Sequence, residues 1–153
     1  MHGNARTETH SPHGEAHERS NLRRLRLSAG ALAIVAGLIH LWVTPSHFAE
    51  WWGYGLFFAV VATIQVTYGG LWLSIGLDAN RLRLLTALGI VGHVALFVLY
   101  LVTRTSGIPF FGPSAGHVEA VEAVDVVSKA VEVVLTLVLV AASPGIDELE
   151  RSE

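Results

Sequence analysis

Asp125, Lys129 and Glu132 are ionisable residues spaced three and four apart, inside a stretch that otherwise reads as a membrane-spanning helix. Glu122 extends the series upstream, and Glu119 precedes it. Such spacing draws one polar stripe down one helix face. An ionisable side chain at bilayer depth costs at least a few kcal/mol and usually faces a protein interior or a water-filled cavity. Other helices are therefore expected to cover this stripe, with something polar at the centre of the molecule.

Three chemistries fit these residue types. Imidazoles and carboxylates converging without water suit a borderline divalent metal, and His40, His47, Glu50, Asp125 and Glu132 are the candidate ligands. Gln65 and Tyr100 would orient them, and Arg104 would bond the outer loop or a carboxylate. The same cluster could hold a small cationic ligand. Lys129 counts against the metal, because its ammonium neutralises a carboxylate beside it. That gives the second reading: a structural or accessory membrane subunit whose Asp125, Lys129 and Glu132 satisfy one another. The third is electron transfer, with His40 and His93 as axial ligands of haem b from two helices. Their depths differ by about one turn, but two single histidines form no spacing motif. His10, His13 and His17 in the N-terminal segment could bind metal loosely, though a polar solubilising tail is the simpler expectation.

Other chemistries are excluded or unsupported. The chain has no cysteine, so disulfides, thiolate metal sites and cysteine nucleophiles are absent together. No zincin, nucleophile-elbow, phosphate-loop or dinucleotide motif occurs. No catalytic nucleophile can be nominated, so whether the protein is an enzyme stays open. A net charge of −3 without a basic face gives no nucleic-acid partner.

The elements that must position these residues are helices. Hydrophobic residues make up 52% of the 153 and charged ones only 15%, against about 25% charged in a soluble domain. The apolar residues form four long runs, at 27–47, 52–77, 82–103 and 118–143, each reaching the roughly 20 residues needed to cross a bilayer. Strands of a barrel fail on length and on the lack of alternation. The expected fold is all-α, a four-helix transmembrane bundle in contact with the lipid bilayer. Residues 1–26 are expected as a disordered His- and Arg-containing tail, and 144–153 as an acidic tail. No cleavable signal peptide is apparent. Gly30, Gly37, Gly69, Gly70, Gly89 and Gly92 let helices approach closely. Pro45 is expected to kink or end the first span.

Arg19, Arg23, Arg24 and Arg26 precede the first span, and Arg81 and Arg83 lie between the second and third. The positive-inside rule then puts both termini in the cytoplasm. Trp51, Trp52 and Tyr54 mark the outer interface. Gly107, Pro109, Gly112, Pro113 and Gly116 punctuate an ordered outer loop between the third and fourth spans, and Ile108, Phe110 and Phe111 suggest that it dips back onto the bundle. His47, Glu50, Tyr100, Arg104, His117, Glu119 and Glu122 gather toward that end, so the polar content forms a funnel from the outer face to about mid-membrane. A homo-oligomer or a larger membrane complex is compatible with this layout.

The stretch Arg104–Gly116, read R-T-S-G-I-P-F-F-G-P-S-A-G and followed by Asp125 and Glu132, resembles a pattern in small uncharacterised four-span membrane proteins of bacteria. So does Ile39–Gly55, with His40, Pro45, His47, Glu50 and the Trp-Trp pair, followed by Gln65. The resemblance covers most of residues 30–140. It implies a multi-pass protein of the bacterial inner membrane and carries no activity onto these positions.

Overall fold

Four helices fold back and forth in the computed structural model, which describes residues 12–74 and 77–152: α1 (Pro12–Glu50), α2 (Trp52–Leu73), α3 (Ala79–Thr105) and α4 (Ala123–Ser152). All four contain segments long and apolar enough to cross a membrane. Large apolar side chains point outward on every helix, including Trp42, 83% exposed, Ile64, Val91 and Leu137. Polar His40, Gln65, His93, Ser128 and Glu132 are buried. That polarity is inverted relative to a protein folded in water, where exposed surfaces carry the charge. The chain is a multi-pass membrane protein with an all-α bundle.

Packing runs in the order α2, α1, α4, α3: α1 lies against α2 and α4, and α3 lies against α4, whereas α2 and α3 scarcely meet. The α1–α2 contact is made by small residues. A methyl group on Gly30 would lie 2.9 Å from the Gly69 carbonyl oxygen, one on Gly37 would lie 2.9 Å from that of Ala62, and one on Gly69 would lie 2.6 Å from that of Gly30. The two backbones touch directly, as small residues permit in lipid, where dispersion contacts replace the hydrophobic effect between helices. At one end of the bundle, Trp72, Leu82, Leu135, Leu139 and Ile146 fill a dry core. The polar residues occupy the other half.

Several expected boundaries move. The helix of α1 begins at Pro12, so residues 12–26, expected within a disordered tail, continue the first span as helix. The readings for residues 1–11, with His2 and His10, and for the His13 side chain fall outside the described residues; His17 is exposed on α1. Pro45 neither ends nor breaks α1, which runs on to Glu50. Proline forfeits one backbone bond there, within two turns of the helix end, and nearby the Thr44 and Ser46 hydroxyls donate to the His40 and Val43 carbonyls at 2.8 and 2.7 Å. At the other end, α4 begins only at Ala123, so Glu119 and Glu122 lie in the preceding loop. It then passes Pro144 and reaches Ser152, making helix of most of the expected acidic tail.

Trp51 alone joins α1 to α2. Gly53 and Gly55 make this turn feasible, since a Cβ at either would strike the Trp51 or Phe48 ring. The loop after α3 turns at Gly107, Gly112 and Gly116, all at positive φ, a conformation open to glycine at little cost.

Candidate functional site

The polar half of the bundle encloses a cavity of ≈ 540 Å³, within the usual range for small-molecule sites. Its walls come from the second half of α1, the start of α2, the end of α3, the loop and the first turns of α4. The one-residue turn at Trp51 sets Glu50 beside Tyr54. Phe57 and Phe58 follow on α2, and Tyr100 and Arg104 descend from α3. The loop closes over this end: the Tyr54 hydroxyl donates to the Phe111 carbonyl at 3.1 Å, and the Glu119 amide donates to the Thr103 carbonyl at 3.1 Å. Ile108 and Phe111 line the cavity. Phe110 does not, and is 86% exposed.

The floor is a buried polar network contributed by three helices. His40 Nδ1 faces two acceptors, the Ala36 carbonyl at 3.0 Å and Gln65 Oε1 at 2.9 Å. It must therefore carry a hydrogen. His40 Nε2 faces Glu132 Oε1 at 3.6 Å. Gln65 turns its amide the other way, Nε2 donating to the same carboxylate oxygen at 3.3 Å. Lys129 pairs with the second oxygen of Glu132. Glu132 is only 1% exposed, and the Gln65 amide and the Lys129 ammonium supply donors to its two oxygens.

A second network lies nearer the loop. Arg104 grips Asp125 at 2.5 Å with one terminal nitrogen and Glu119 with the other. Asp125 also accepts the Glu122 amide at 3.0 Å, capping the start of α4. The Tyr100 ring sits between the networks, with the Arg104 guanidinium 5.2 Å and the Lys129 ammonium 5.7 Å from its centroid. At the rim, His47 lies flat on Phe58, their centroids 3.9 Å apart, and its Nδ1 lies 3.5 Å from Glu50.

The five candidate metal ligands thus divide into three places rather than one. His40 meets Glu132, His47 meets Glu50, and Asp125 is held by Arg104. Among the described residues no three of His, Asp and Glu come together as a group able to hold a metal ion. Spacing along each helix could show which residues share a face, but not which carboxylates Arg104 and Lys129 would take. The self-paired triad is also divided: Lys129 joins Glu132, while Asp125 turns to α3. Of the haem pair, both His40 nitrogens face protein acceptors. His93 donates from Nδ1 to the Gly89 carbonyl at 2.7 Å and keeps an unpartnered Nε2, with its ring centroid 6.2 Å from that of Tyr68. Gln65, Tyr100, Arg104 and Lys129 all lie in these networks.

The sequence reading missed the aromatic wall of Phe57, Phe58 and Phe111 as a site feature, and it missed Ser128. The latter falls on the same helix face as Asp125 and Glu132, a position the three-and-four spacing could have flagged. Comparisons with family models, with curated proteins and with solved structures give no match and identify no family for the chain.

Proposed function

We propose that this membrane protein binds a small organic cation in the cavity at the loop end of the bundle. The observation that carries the reading is the composition of the cavity wall. Glu50, Glu119, Glu122 and Asp125 line it, with Glu132 beneath, against only Arg104 and Lys129 among its described lysines and arginines. Those two cations are already paired with Asp125, Glu119 and Glu132. The acids at the mouth, Glu50 and Glu122, have no lysine or arginine partner among the described residues. Tyr54, Phe57, Phe58 and Phe111 stand beside them. Aromatic faces with carboxylates attract ammonium groups, and each such contact contributes about 0.5–2 kcal/mol. A quaternary ammonium suits this wall better than a divalent metal, because it needs no inner-sphere donors.

The arginines at the opposite end of the bundle support an orientation with the cavity mouth on the outer side of the membrane and the termini in the cytoplasm. The resemblance to bacterial four-span proteins supports the bacterial inner membrane as the location.

Calorimetric titration of the purified protein in detergent with tetramethylammonium tests the reading. Saturable binding is expected, weakened about tenfold or more in a Glu50→Gln, Glu122→Gln double variant that unfolds at the same temperature. Absence of binding, or equal affinity for the neutral carbon isostere neopentane, overturns it. The unpartnered His93 Nε2 favours a second reading, haem b ligated by His93. A Soret band in the purified protein that disappears in His93→Ala would select it.

A further inference from the structure

Ser128 lies on α4 one turn from Asp125 and one turn from Glu132, in the cavity wall. The residue is 5% exposed, yet its hydroxyl has no hydrogen-bond partner. Helical serines and threonines at membrane depth ordinarily return the hydroxyl to the carbonyl four residues back. Thr44, Thr86, Thr136 and Ser143 do so here, at 2.8, 2.8, 2.8 and 3.1 Å. Ser128 forgoes that bond. A buried hydroxyl without a partner costs about 1–3 kcal/mol, and the residue that carries this one lines the cavity. Its partner is thus expected to enter the cavity from outside the protein.

We propose that Ser128 receives a hydrogen-bonding group carried by the cation itself, so that the ligand is an ammonium with a hydroxyl a short carbon link away from its charge. This rests on the cation reading above. The charged head would lie among the acids and aromatic rings of the mouth, and the hydroxyl would reach inward to Ser128. In this arrangement the acids and rings set affinity for the charge, and Ser128 sets the preference among cations of the same size.

A matched pair of probes separates the two roles. Hydroxyethyl-trimethylammonium and propyl-trimethylammonium differ only by a hydroxyl in place of a methyl. The intact protein should bind the hydroxylated probe about tenfold more tightly, the size expected of one buried hydrogen bond. Ser128→Ala should reduce that preference to within about twofold, and Ser128→Thr should keep it. Equal affinities in the intact protein would mean that water meets Ser128, and the proposal falls. A preference that survives Ser128→Ala also overturns it. If neither probe binds, the cation reading itself has failed and this inference goes with it.

Discussion

At the scale of single residues, Glu132 is tightly constrained. It is fully enclosed, and Lys129, Gln65 and His40 all turn toward it. Removing one partner of a buried ion pair leaves an uncompensated charge, at a cost of about 3–5 kcal/mol. Lys129→Met is therefore expected to lower the unfolding temperature sharply in detergent, followed by circular dichroism. Adding Glu132→Gln should recover most of the loss, since the amide needs no counter-ion. A double variant as unstable as the single one would show that Lys129 contributes through packing on Tyr100 rather than through charge. The stripe of Asp125, Lys129 and Glu132 was legible in the sequence because helical periodicity is local. Its partners were not. Whether Asp125 meets Lys129, Arg104 or His40 depends on the register of three other helices, and spacing within one helix carries no information about that.

Among the elements, the four spans were legible because length and apolarity follow from bilayer thickness, whatever the packing. Their ends were less so. Helix continues from Pro12 and through Pro144 because polar residues can complete a helix beyond the hydrocarbon, where hydropathy gives no sign of them. The close α1–α2 contact was foreshadowed by Gly30, Gly37 and Gly69. Gly69→Ala places a methyl group 2.6 Å from the Gly30 carbonyl oxygen, so the backbones must separate. Overpacking of this kind costs about 1–3 kcal/mol, and Gly70→Ala, with open space around it, should cost far less. Comparing the two unfolding temperatures checks the argument, and equal effects would remove it. The loop makes a different demand. Gly112 has φ near +80° and lies against the Tyr54 ring, where a side chain would be both strained and obstructed. Gly112→Val should displace the loop from Tyr54 and weaken tetramethylammonium binding several-fold, while the helical core at the other end keeps its stability.

For the whole molecule, the division into a dry half and a wet half decides what the protein can do. The dry end packs Trp72, Leu82, Leu135 and Leu139 into one apolar cluster. The wet end is covered by a glycine-turned loop and is lined with acids. Such an arrangement suits the proposed binding site, reached from one side of the membrane. Which side the mouth faces is then the decisive question for the whole molecule. The absence of cysteine makes it directly testable, because any introduced thiol is the only one in the chain. Phe110, on the loop and 86% exposed, and Asn80, exposed at the first turn of α3, mark opposite ends of the bundle. With the arginine-rich end inside, a membrane-impermeant maleimide added to intact spheroplasts should label Phe110→Cys, and should label Asn80→Cys only after the membrane is opened. The reverse pattern would turn the cavity toward the cytoplasm. Its cation would then come from the cell interior, while the acids, rings and Ser128 would keep their roles within the site.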